Sequence, residues 1–310
     1  MTFGVTVSGT TLADVQAAIN SLGANGGLVE VPAGNYAGNS PLTLTKSNIT
    51  ILGEGGDYDE TSTLHAPTLF DVSSASCDGI QIGAQDRVIC GVKIKDIGIK
   101  GNSAADASGI HGIYNAAANV FPARCLFDGV SAKGFANGHG IIFDFAVSTT
   151  CRRTNTSQNL YGIRVIGGTD YDFDGIISRS NGAYGLELEG FNGVSIRGGS
   201  VLESNQSSAI LALLYANAYN LFVENSWFEN NNLVVTGTPY QIHVIARGGF
   251  LLQNGVIDKC NFADGHGSGD IYLDASRYID IEHIRSTFSD PNILVKGPSS
   301  SQIRYNYSPF

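Results

Sequence analysis

The chain has 310 residues, 43% hydrophobic and only 15% charged, with 39 glycines and a formal net charge of -10. That acidic balance supplies no positive patch for phosphates, which excludes a nucleic-acid or anionic-membrane surface. No run approaches the ~20 apolar residues that cross a bilayer, so no membrane insertion is expected.

The opening Met1-Thr2-Phe3-Gly4 lacks the basic and apolar regions of a secretion signal, so synthesis in a host cytoplasm is expected. Residues 1–10 read as an N-terminal arm and 11–310 as one domain. Apolar residues at 12, 15, 18, 19 and 22 have the helical period, Thr10 or Thr11 caps the start, and Gly23 ends the helix. Gly26-Gly27 leads into the strand of Leu28-Val29-Glu30-Val31, closed by Pro32-Ala33-Gly34. Leu42-Thr43-Leu44 and Ile49-Thr50-Ile51-Leu52 follow as strands, and residues 56–90 read as irregular, with Asp57, Asp59 and Glu60 on a solvated loop. A calcium site there would need further convergent oxygens, so no cofactor or metal is expected, and no specific motif supports a divalent cation.

From Gly112 to Val295 one phrase recurs: a small or polar residue, then Ile or Leu, then alternating strand-type residues. Its anchors are residues 113, 141, 163, 186, 210, 242, 271 and 293, spaced 22 to 32 apart. Second strands fall between, as in Phe173-Asp174-Gly175-Ile176 and Val194-Ser195-Ile196-Arg197. Short strands at this period without helices predict stacked coils, an all-β right-handed parallel β-helix with a short N-terminal capping helix at 11–22. Asn159, Asn181, Asn205 and Asn231 recur at one bend, where Asn tolerates left-handed backbone and can bond the next coil's backbone. The five cysteines (77, 90, 125, 151, 260) have no paired spacing and read as reduced thiols.

The stretch Ala17-Ala18-Ile19, the run Asn25 to Tyr36, and Ile49-Thr50-Ile51-Leu52-Gly53-Glu54-Gly55 together resemble the opening of the pectate-lyase-like β-helix superfamily. That resemblance covers about 55 residues and implies fold more than reaction. It also implies relatives among phage tailspikes and polysaccharide lyases and hydrolases. Gly138-His139-Gly140 resembles the polygalacturonase tripeptide, but that family's other acidic motifs are missing, and Gly265-His266-Gly267 repeats the tripeptide by composition alone.

Stacked coils lie about 4.8 Å apart, so equivalent residues form rows. The second strands place Asp128, Arg153, Asp174, Arg197, Glu224, Asn254 and Glu282 in an outward row of mostly alternating charge. Glu203 stacks on Glu229, and two like carboxylates one coil apart suit an acid paired with a base or nucleophile. Trp227 beside them suits a sugar ring, with Arg197, Arg153 and Asp128 as substrate-binding groups and Asp174 and Glu224 completing the catalytic set. The first strands give a row Tyr114, Ile142, Arg164, Glu187, Leu211, His243, Tyr272 and a companion through Ile166, Leu213 and Ile245, an apolar stripe that a homotrimer would bury. The leading expectation is a phage tailspike or tail-fibre subunit in the virion tail that binds, and cleaves, a bacterial surface polysaccharide, joined to other virion proteins through its N-terminal arm. The alternatives are a non-catalytic structural spike or adhesin and a free-standing extracellular polysaccharide lyase or hydrolase.

Overall fold

The computed structural model describes residues 4–56, 66–233, 240–263, 269–274, 276–286, 293–296 and, as backbone alone, 303–307. Asp57, Asp59, Glu60 and the Gly265-His266-Gly267 tripeptide lie outside the described residues. The chain divides into two compact units, residues 1–160 and 161–310, each wound from right-handed coils of parallel strands. Among the described residues, no helix is long and apolar enough to cross a membrane.

In the first unit, Thr11 sits in extended backbone and closes a capping box with Asp14, which starts the helix Leu12–Ser21. Leu12, Val15, Ala18 and Ile19 are buried, so the helix covers the first coil with one apolar face. Its C-terminal carbonyls at Asn20 and Leu22 accept bonds from Lys46 Nζ, a cation where the helix dipole favours one. Within the expected arm, Gly4–Thr6 pairs in parallel with Gly27–Glu30. The span read as irregular contains strands Thr68–Asp71, Ile80–Ile82 and Ile89–Cys90; each is too short to show a period in sequence.

One face of this unit aligns Leu42, Ile80, Ile110 and Ile141 inward, all but invisible to solvent, and Thr43, Gln81, His111 and Ile142 outward. The expected anchor Ile113 and row member Tyr114 are therefore corrected to Ile110 and His111. Gly109-Ile110-His111 carries the same phrase three residues earlier, and after Gly112 the chain leaves the sheet for a loop closed by an Asn115–Val120 bridge.

In the second unit each full coil has three strands rather than two. The first is Tyr161–Ile166, Thr169–Asp174, Ile177–Arg179, and the second Leu186–Glu189, Asn192–Arg197, Val201–Glu203. The third is Ile210–Leu214, Ala218–Glu224, Trp227–Glu229. The last strand of each coil is only three residues long, which hides it from any periodicity. Ile163, Leu186, Ile210, Ile242 and Ile271 stack inward at 0% exposure, and Phe228 lies on Phe262 with ring centroids 4.9 Å apart.

The second strands of this unit carry a column of left-handed residues in register: Asp170, Gly193, Asn220, Asn254 and Tyr278. This removes Asn254 from the charged row, because Glu224 aligns with Asp258, which aligns with Glu282. The bend asparagines bond an adjacent coil, but it is the preceding coil rather than the next, and the left-handed backbone falls on the residue before each, Gln158, Ser180, Ser204 and Asn230. Asn181, Asn205 and Asn231 are fully buried, and Asn205 serves the coil before it by accepting from the Asn181 backbone and donating to the Ser178 carbonyl. In the first unit Asn159 does the same for Phe135 and Ala132.

Candidate active site

Glu203 and Glu229 are register partners, as expected from the sequence. Both are half-buried. Glu203 lies 3.8 Å from Arg179, its partner one coil earlier, and Trp227, 41% exposed, donates its indole N–H to Glu229 at 2.9 Å. Asp174, Arg197 and Glu224 stand on the preceding strands of the same coils, while Asp128 and Arg153 belong to the first unit. Arg197 bonds Asp172 at 2.9 Å, and that contact first, with the charges of Asp174 and Glu224 behind it, raises its pKa. In the first unit Asp128 aligns with Arg152, while the neighbouring Arg153, turned by a left-handed backbone, reaches back to bond Asp128.

A tighter cluster, missed in the sequence, stands on the first strands of the second unit. Glu187 and Glu189 project from one face of strand Leu186–Glu189, and Arg164, one coil earlier, aligns with Glu187. The Arg164 guanidinium donates to Glu189 Oε1, with Nε at 3.0 Å. Its Nε also lies 3.1 Å from Glu187 Oε2 but is not aligned to bond it, so that buried carboxyl oxygen has no hydrogen-bond partner. Burial pushes Glu187 up to about 7; Arg164 opposes the rise and Glu189 adds to it. Tyr161 and Tyr184 stand alongside with ring centroids 6.0 Å apart, and Arg164 lies over Tyr161. A buried carboxyl near neutrality beside a second carboxylate is a recognised mark of acid–base chemistry. The alternation of Glu and Leu at 186–189 is the available signal, and by itself it reads as part of a plain outward row.

Elsewhere in the first unit, His111 is clamped between Asp78 and Asp144, 3.1 Å from each. Burial opposes its charge, but the two carboxylates outweigh that and raise its pKa to about 9, so the ring carries two protons at neutrality. His139 is buried at 2% exposure, with its ring 3.4 Å from Ser108 Oγ, so it holds a core position rather than a catalytic one. Asp258, Glu282 and His283 lie close enough to share a cation. Asp258, however, already bonds the Lys259 ammonium and the His283 ring, which occupies its oxygens with the chain's own side chains. The expected apolar stripe is not bare: Ile142 and Leu211 are 7% and 4% exposed, and Ile166, Leu213 and Ile245 are half-buried. None of the five cysteines is joined in a disulfide, and burial pushes Cys125 and Cys260 up to about 12.

No family model matches the sequence, and no curated protein sequence matches it. Solved structures do. The ORF18 protein of Geobacillus virus E2 superposes with a TM-score of 0.64 at 16% identity, over 98% of this chain and 61% of that one. The chain thus spans less than two thirds of that phage protein. The Agl-KA catalytic domain gives 0.62 at 15% identity over 98% and 68%, and a mannuronan C-5 epimerase A-module from Azotobacter vinelandii gives 0.54 at 15% over 96% and 95%. At these identities the likeness is one of fold, the parallel β-helix.

Proposed function

We propose that the chain binds and cleaves a bacterial surface polysaccharide as part of a phage tail. One observation carries the reading: the buried Glu187 carboxyl, raised to about 7, sits on one strand face with an Arg164-bound Glu189, alongside the Tyr161–Tyr184 pair. Glu187 protonates the glycosidic oxygen as its bond to the anomeric carbon breaks, and Glu189 takes a proton from the attacking water. Direct attack of that water inverts the anomeric centre. The likeness to a phage protein and to a catalytic domain of the same fold supports the reading without fixing the sugar.

A second reading places the reaction at Glu203 and Glu229, with Trp227 stacking on a sugar and Asp174, Arg197, Glu224, Arg153 and Asp128 orienting the chain. Their register pairing, about 4.8 Å between coils, favours retention instead. The homotrimer belongs to the tail reading, in which the half-buried Ile166, Leu213 and Ile245 of the apolar row would be covered; light scattering would give three times 32.6 kDa. The test is incubation with purified capsular and O-antigen polysaccharides, following product size and, by proton NMR, anomeric configuration. Shorter chains with inversion, lost in Glu187→Gln, support the first reading. Retention lost in Glu203→Gln moves the chemistry to the second pair, and bound but intact glycan leaves an adhesin.

A further inference from the structure

The first unit holds an open cleft of about 1040 Å³ that takes no part in either carboxylate cluster. We infer that this cleft is a separate binding site for a neutral oligosaccharide of several rings. The inference rests on the glycan reading above and adds a second place at which the polymer is held.

Four observations support it. The first is size: small-molecule sites run to roughly 300–1,000 Å³, so this cleft exceeds the needs of one sugar ring. The second is polar chemistry. The walls offer hydroxyls at Thr43 and Thr45 and amides at Gln81 and Gln85, groups that both donate and accept, as sugar hydroxyls do. The Gln81 amide nitrogen is fixed by Asp78 at 2.8 Å, while its oxygen has no hydrogen-bond partner among the described residues. The third is charge. Asp86 and Arg87 neutralise each other in a two-pronged pair, and the Lys46 ammonium is committed to the helix carbonyls. Among the lining residues no uncommitted charge then remains to attract an ionic ligand, which separates this cleft from the acidic faces elsewhere. The fourth is an aromatic platform: Tyr114 stacks on Phe145 at 5.0 Å, and Phe145 in turn meets the edge of Phe121 at 5.7 Å. A ring pinned in this way loses little freedom when a pyranose settles against its remaining surface.

The test uses the whole chain on an immobilised array of neutral hexa- and heptasaccharides (α- and β-linked glucans, galactans and mannans), with uronic-acid oligosaccharides of equal length as controls. Retention of neutral probes over anionic ones is expected, weakened roughly tenfold by Tyr114→Ala. Because Tyr114→Ala also opens the aromatic cluster, Thr45→Arg serves as a second variant, obstructing the cleft from an exposed position away from the core. The inference is overturned if no neutral probe is retained, if anionic probes are preferred, or if both cleft variants bind as the parent does. If cleavage fails but probe binding depends on Tyr114 and Thr45, the cleft stands and the catalytic reading falls. If cleavage is lost in Glu187→Gln while binding is indifferent to the cleft variants, the catalytic reading stands and the cleft falls.

Discussion

Asn181 donates its side-chain amide to the carboxamide oxygen of Asn205 at 2.9 Å, and Asn205 repeats the bond to Asn231 at 2.8 Å. Each carboxamide thus satisfies a neighbour's side chain and backbone in a place water does not reach. Replacing Asn205 by Ala strands the Asn181 N–H groups and the Ser178 carbonyl together. Leaving buried polar groups unpaired costs about 1–3 kcal/mol each, so Asn205→Ala is expected to destabilise the second unit by about 3 kcal/mol. Urea unfolding checks this; a loss under ~1 kcal/mol would mean the ladder is decorative.

The left-handed column offers a prediction of the opposite sign. Tyr278 occupies it with φ 59 and is 51% exposed, where its coil-mates include Asn254, Asn220 and Gly193. A side chain other than Gly or Asn in that conformation is strained by roughly 1–2 kcal/mol. Tyr278→Asn is therefore expected to raise stability by about 1 kcal/mol, read as a higher melting temperature. An unchanged or lower value shows that the ring's contact with Arg277 outweighs the strain.

The coil repeat and the bend asparagines were legible because they recur: seven of the eight similar phrases mark the inward Ile and Leu, and identical bends fix the Asn column. What stayed hidden was whatever happens once. Three-residue strands such as Val201–Glu203 are too short to carry a period. Asn254 and Asp258 both follow an apolar residue at a plausible distance, and only the left-handed backbone at Asn254 decides between them. Glu203 over Glu229 could be read by counting residues from the anchors. The unpaired Oε2 of Glu187 could not, because it depends on where Arg164 points its guanidinium. Sequence shows which groups share a face; desolvation and hydrogen-bond alignment, which set proton affinity, belong to the folded coil.

His111 makes stability in the first unit depend on pH. Its pKa in the native state, about 9, lies above the ordinary 6.5 of an unfolded chain. The stabilisation is complete below pH 6.5 and is lost as pH rises through 9, since the native ring must then give up a proton that Asp78 and Asp144 were holding. The full effect is on the order of 3 kcal/mol. His111→Gln is expected to flatten the decline in melting temperature between pH 6.5 and 9. A parent protein whose stability is level over that range contradicts the clamp.

Trp227 separates the two carboxylate readings by binding rather than by chemistry. If glycan lies along the Glu203–Glu229 face, Trp227→Ala removes a stacking surface worth about 1 kcal/mol or more and weakens polysaccharide retention roughly fivefold to tenfold. Trp227→Phe, which keeps a ring but not the bond to Glu229, is expected to recover most of it. Affinity electrophoresis in polysaccharide gels measures both. Equal mobility of all three proteins removes this face from the binding surface.

Glu187 gives the sharpest prediction, because the same proton governs stability and turnover. Its native pKa of about 7 exceeds the ordinary 4.5, so between those values an unfolded chain has released a proton that the native state retains. Stability therefore falls as pH rises from 4.5 to 7, by up to about 3 kcal/mol, and stays low above that. Glu187→Gln, neutral at every pH, is expected to abolish this slope and to be more stable than the parent above pH 7. If Glu187 is the proton donor, the rate of glycan cleavage declines as pH rises through about 7, with the same midpoint, and the Gln variant shows no cleavage while still binding. A stability slope without a matching limb in the rate profile would mark the Arg164 cluster as structural and send the search for the acid back to Glu203 and Glu229.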